Sequence, residues 1–171
     1  MELLTGGLTL LCWIRFGPSF DGLMALVLTY ASIVIAFIDL EHQLIPNALT
    51  LPMMVMGLLF RIRQGEVIAG ILGGLIGGGI LLIITLLYPK GMGMGDVKFL
   101  AMAGVFLGWE KAIFILFSGS VFGLLVIIPL MLLKKIGRKS AFPFGPFLVI
   151  GALIALYWEE VVFKVFGLYG L

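Results

Sequence analysis

The chain has 171 residues, of which 62% are hydrophobic and only 12% charged, with a formal net charge of +2 and a mean hydropathy of +1.25. A soluble domain carries roughly 25% charged residues, so this composition excludes a water-facing surface and points to an all-α, polytopic membrane bundle of about six to seven helices. The few basic residues form no stripe interleaved with aromatics, which excludes nucleic acid as a partner, and the single cysteine, Cys12, excludes an intrachain disulfide and a multi-cysteine metal site.

Apolar blocks separated by charges, prolines and turn glycines predict helices over 3–16, 22–40, 48–61, 67–89, 97–109, 111–133 and 143–158. Segments 22–40, 67–89 and 111–133 approach or exceed the roughly 20 residues a membrane span needs, whereas the other four are short and suit tilted or partly re-entrant helices. Met1 is followed by Glu2 rather than a basic stretch, and no small-residue cleavage site follows the first apolar block, so no signal peptide is expected. The chain reads as a single membrane-embedded domain, 1–171.

Alternating helices place Lys90, Lys98, Lys134, Lys135, Arg138 and Lys139 on one side and Arg15, Arg61, Arg63, Lys111 and Lys164 on the other. The compact cluster Lys134, Lys135, Arg138, Lys139 assigns the first side to the cytoplasm, with the N-terminus inside and the C-terminus outside.

Two acids share that side. Asp39 ends the second helix, before Leu40-Glu41-His42-Gln43-Leu44-Ile45-Pro46-Asn47, and Asp96 opens the fifth, after Gly91-Met92-Gly93-Met94-Gly95. Carboxylates beside apolar segments are costly to desolvate and mark a site when they face the bundle interior; the plainer reading is an interfacial charge, with Asp96 favoured at a helix N-terminus by the backbone dipole. The surrounding backbone favours the site. Pro46 restrains Ile45 to an extended form, and Asn47 is expected to cap the third helix. Three alternating glycines before Asp96 permit positive φ angles and close backbone approach, which suits a loop that admits an extended peptide. Irregular backbone at membrane depth is tolerated where it lines a wet cavity, and two such stretches, each with one carboxylate, suggest one shared cavity.

Asp39 with Ile45-Pro46-Asn47, then Gly93-x-Gly95-Asp96-Val97-Lys98, then Pro143-Phe144-Gly145-Pro146-Phe147-Leu148, together resemble the type IV prepilin peptidases, polytopic aspartic proteases of the G-x-G-D kind. The resemblance covers nearly the whole chain. It implies that Asp39 and Asp96 are the catalytic pair, with Glu41, Pro46, Asn47, Gly93, Gly95, Lys98, Pro143, Gly145 and Pro146 binding substrate or supporting the site. It implies a prepilin or pseudopilin substrate with a short basic leader, cleaved after a glycine at the cytoplasmic face of a bacterial or archaeal cytoplasmic membrane, with membrane lipid as the other partner. The peptidase step implies no cofactor. Long members also carry a zinc-binding region of paired Cys-x-x-Cys elements and methylate the new N-terminus with S-adenosylmethionine. This sequence contains no such cysteines, so no zinc is expected here, and methyl transfer is in question.

Some residues have duller readings. Glu41 and His42 either tune Asp39 or contact a leader, or they are a solvated loop pair. Lys98 either binds an anion or snorkels to the headgroups. The run Gly70-x-x-Gly73-Gly74-x-x-Gly77-Gly78-Gly79 and the stripe Val97, Ala101, Gly104, Gly108 predict close helix packing rather than a phosphate loop. Paired acids and glycine-rich spans also describe an ion- or proton-coupled transporter, which would hold its acids near the midplane between repeats; here both acids flank their spans and no repeat is evident. An inactive scaffold would need neither carboxylate.

Overall fold

A computed structural model describes residues 2–88, 92–133, 143–160 and 164. Its seven elements are all helices: α1 (Glu2–Phe16), α2 (Phe20–His42), α3 (Asn47–Gln64), α4 (Val67–Leu87), α5 (Met94–Leu107), α6 (Trp109–Leu132) and α7 (Gly145–Tyr157). Each falls on one of the seven apolar blocks. Among the described residues α2, α4 and α6 are long and apolar enough to cross a membrane, the same three that sequence length singles out. The basic cluster 134–139 and Lys90 lie outside the described residues.

The hub is α5. It touches α2, α3, α4, α6 and α7 and buries Val97, Phe99, Leu100, Met102, Ala103, Phe106 and Leu107 over most of its circumference. A helix apolar on most sides has little solvent face to define, so it belongs in the middle. With 14 residues it is about 21 Å long.

The glycines of α4 make room for it. Gly73 and Gly104 meet backbone to backbone, so a Cβ on either would run into the other's carbonyl oxygen, and a Cβ on Gly78 would lie 2.8 Å from that of Ala101. On the other flank Gly57 of α3 receives the Phe106 ring, 2.6 Å from where its Cβ would be. Van der Waals contact between backbones, rather than exclusion of water, drives such association in lipid, and only small residues allow it. The two small-residue stripes read from the sequence are these packing surfaces, except that Gly79 faces open space and Gly108 lies past the end of α5. There it takes φ +92 and turns the chain into α6.

Gly104→Ala should therefore destabilise the bundle by more than about 2 kcal/mol, because neither backbone can retreat. Gly79→Ala, where a Cβ meets nothing within 4 Å, should leave stability unchanged or slightly raised. Thermal unfolding of the purified chain in detergent separates the two.

Candidate active site

Asp39 lies in the last turn of α2 and Asp96 in the first turn of α5, and both are buried, at 5% and 7% exposure. An ionisable group so placed needs hydrogen bonds in exchange for lost water. Asp39 finds its donor on another helix: the Gly145 N–H donates to Asp39 Oδ2 at 3.0 Å. The first N–H groups of a helix have no intrahelical acceptor, and they sit at the positive end of the helix dipole. Gly145 opens α7 with Pro146 in its first turn, where proline's missing N–H costs nothing. Pro143 lies half-buried just ahead of that turn. Glycine is needed here for proximity, since a Cβ on Gly145 would lie 2.5 Å from Asp39 Oδ2 and 3.0 Å from Cγ.

Asp96 is held by its own helix. The Gly93 N–H donates to Asp96 Oδ2 at 3.3 Å, and the Asp96 N–H donates to the Gly93 carbonyl at 3.2 Å. This corrects one expectation. Gly93 is extended at φ −85, and Gly95 already lies inside α5, which begins at Met94; neither takes a positive φ, and Gly91 lies outside the described residues. What Gly95 supplies is space. A Cβ there would stand 2.8 Å from that of Ile45, so the link between α2 and α3 seats its buried Ile45 directly on the helix that carries Asp96.

A second correction concerns Asn47. The cap of α3 is Pro46, at φ −69 and ψ 133, and Asn47 is the first helical residue. Its side chain is thereby freed from the backbone, and its Oδ1 accepts from Lys98 Nζ at 2.6 Å. That bond ties α3 to α5. Pro46 also offers its carbonyl to the Thr50 hydroxyl at 3.3 Å. Gln43, at φ 51, ends α2 and donates its N–H to the Asp39 carbonyl at 2.9 Å.

Of the sequence-derived candidates, the structure thus joins Asp39 with Gly145, Asp96 with Gly93, and Asn47 with Lys98. It leaves Glu41 outside this set: Glu41 and His42 are exposed and face each other at 3.9 Å. The sequence marked Ile45 only as the extended residue before Pro46, not as a packing contact of the Asp96 helix; its apolar side chain in a link that must be extended was the available signal.

Among the described residues no cation pairs with either aspartate; the ion pairs lie elsewhere. Asp39 and Asp96 are near enough for the charge of one to act on the other. Two carboxylates that act on each other do not readily ionise together. Among the described residues no three His, Cys, Asp or Glu side chains gather, and Cys12 is buried with its thiol directed at the Gly22 carbonyl.

Residues 26–128 match the model of the type IV leader peptidase family. Similar proteins include the prepilin leader peptidase/N-methyltransferases of Aeromonas hydrophila, 36% identical over 95% of this chain and 58% of that protein, and of Legionella pneumophila, 37% identical over 95% of this chain and 59% of that protein. The Pseudomonas aeruginosa protein of the same name is 30% identical over 89% of this chain. The chain thus spans under three-fifths of the length of these relatives. No solved structure matches it.

Gly145→Ala should displace Asp39 and cost about 1–3 kcal/mol by overpacking, and Gly95→Ala should cost a similar amount through Ile45. Calorimetric or fluorescence melting of both variants checks this. Replacing Ile45 with alanine in the Gly95→Ala background should recover part of the second loss.

Proposed function

We propose that this chain, which belongs to the type IV leader peptidase family, is an aspartic endopeptidase in which Asp39 and Asp96 activate water to cut the leader from prepilin-like proteins. The observation that carries this is the burial of two carboxylates, without a cationic partner among the described residues, at the same end of adjoining helices. A structural pair of acids would be solvated or salt-bridged. A hydrolytic pair needs to share one proton.

The chemistry follows from that proton. The ionised aspartate takes a proton from water as its oxygen adds to the scissile carbonyl carbon, and the protonated aspartate hydrogen-bonds the carbonyl oxygen. Collapse of the tetrahedral intermediate breaks the C–N bond, and a proton passes to the leaving amine. No protein nucleophile and no cofactor enters. The backbone N–H groups of Gly145 and Gly93 hold Oδ2 of each aspartate, leaving each Oδ1 to water or substrate. The acid and base roles belong to the pair, because coupled groups titrate together.

In this reading the substrate is a prepilin or pseudopilin whose leader lies in the cytoplasm, and the enzyme sits in the bacterial cytoplasmic membrane with its site on the cytoplasmic side. Pro143, Pro146 and Pro46 shape the walls of the cleft through the two helix starts they set, and Glu41 lies outside it, where a basic leader passes. S-adenosylmethionine-dependent methylation of the product is not assigned to any residue of this chain. The transporter reading lacks support: both acids lie at helix ends rather than near a midplane, and the family is one of peptidases.

Asp39→Asn and Asp96→Asn should each lower cleavage of a prepilin-like substrate by roughly 10²–10⁴-fold, and the double variant should fall little further. N-terminal sequencing of the product, with folding matched by circular dichroism, checks both the loss and the leader junction. Wild-type kcat should follow a bell in pH, and retention of full cleavage in either variant would remove that aspartate from the mechanism.

A further inference from the structure

At the end of the bundle away from the carboxylates, an open polar cavity of about 460 Å³ is lined by Asp21, Arg61, Gln64, Glu66, Lys111 and Glu159, among others. Lys111 pairs with Glu159 at 2.7 Å, and the Gln64 amide donates to Asp21 at 2.7 Å. Arg61 is the most enclosed of these ion-paired side chains. Its side chain is only 10% exposed, which is costly for a guanidinium unless its donors are used.

Those donors converge on a joint. Nε donates to the Val105 carbonyl at 3.4 Å, one of the last carbonyls of α5, which have no partner within their own helix. Another nitrogen pairs with Glu66 in the link between α3 and α4. The aliphatic stem lies along α4, where a Cβ on Gly70 would come within 2.9 Å of Arg61 Cγ, and the guanidinium faces Gly108, the hinge into α6. One side chain of α3 thus contacts α4, the end of α5 and the start of the turn into α6.

The need for such a contact follows from how α5 is otherwise held. Its interface with α4 is built on small residues, Gly73 on Gly104 and Gly78 on Ala101, with Val105 seated over Gly74 and Leu100 against Gly77. Such a surface allows close approach, and the side-chain knobs that resist sliding along the axis are few. Directional hydrogen bonds fix what smooth packing leaves free, and α3 supplies two to α5, Asn47 to Lys98 at one end and Arg61 to Val105 at the other. Asp96 and Val105 are nine residues apart on one short helix, about 14 Å, so a shift at Val105 is carried to Asp96.

We propose that Arg61 is a positioning residue that sets the axial register of α5 from the far end of the bundle, and through it the place of Asp96 relative to Asp39. For catalysis this rests on the peptidase reading; for register it stands alone. Guanidinium is suited to the task because its planar fork reaches two acceptors at fixed angles, which an ammonium does not.

The test uses the full chain in lipid with Arg61→Met and Arg61→Lys. Arg61→Met should lower kcat by about tenfold or more with KM changed less than twofold, since misplacement of a reacting group weakens the transition state rather than substrate binding. The pH profile of kcat should also change shape, because carboxylates moved apart share a proton less tightly. Arg61→Lys should recover part of the loss. Register is read without substrate, in a Cys12→Ser chain carrying Asn47→Cys and Lys98→Cys, treated with thiol cross-linkers of graded length. With Arg61 present one length should dominate, and with Arg61→Met the preferred length should change or the preference broaden. Should Arg61→Met fail to fold, Arg61→Lys carries the same readouts. Wild-type kcat and pH profile, or an unchanged cross-linking pattern, overturns the proposal. A reference chain inert against every prepilin counts against the peptidase reading, and the cross-linking still decides whether Arg61 sets the register.

Discussion

The constraint on which the rest of the structure depends is the burial of Asp39 and Asp96 without a cation among the described residues to neutralise either. Charge in an apolar setting is costly, and here the compensation comes from the backbone at helix starts: α7 for Asp39, α5 for Asp96. Backbone donors stabilise a carboxylate while adding no full positive charge. An arginine or lysine in the same place would favour ionisation of both acids, which the proposed shared proton does not allow.

Much of the architecture serves to bring those helix starts to the acids. Proline and glycine set where α7 begins, and the lack of a Cβ on Gly145 lets its N–H reach Asp39. Pro46 moves the start of α3 so that Asn47 is released to Lys98, and Ile45 settles on Gly95. These contacts link the end of α2, the start of α3 and the start of α5 into one rim. A substitution at any of them acts on the carboxylates through backbone placement. Farther down, close glycine packing brings α5 into the centre of the bundle, and polar contacts at its two ends govern where along its axis it rests.

The sequence carried the helices and the two acids clearly. Apolar blocks are hard to misread, because few charges can be hidden inside them, and all seven helices fall where the blocks do, even with Pro52 inside α3 and Pro129 inside α6. The glycine run 70–79 was legible as packing for a similar reason, since small residues inside an apolar span have few other uses. Less legible was the local backbone. Asn before an apolar run reads as a cap, yet the adjacent proline took that role, and alternating glycines read as a positive-φ loop although Gly95 is helical and is small to admit Ile45. Both expectations rested on intrinsic preference, which contacts from distant residues override.

By itself, then, the sequence determined the class of the protein, its helical blocks and the two acids that stand out at helix ends, because hydropathy and residue type are properties of single positions. Tertiary structure alone decided that the Gly145 N–H, 106 residues away, serves Asp39, that Lys98 reaches across 51 residues to Asn47, and that Arg61 closes on the end of α5. Such pairings depend on how seven helices rotate and slide against one another, and periodicity along one segment records only which face is apolar, not which neighbour it meets or at what height.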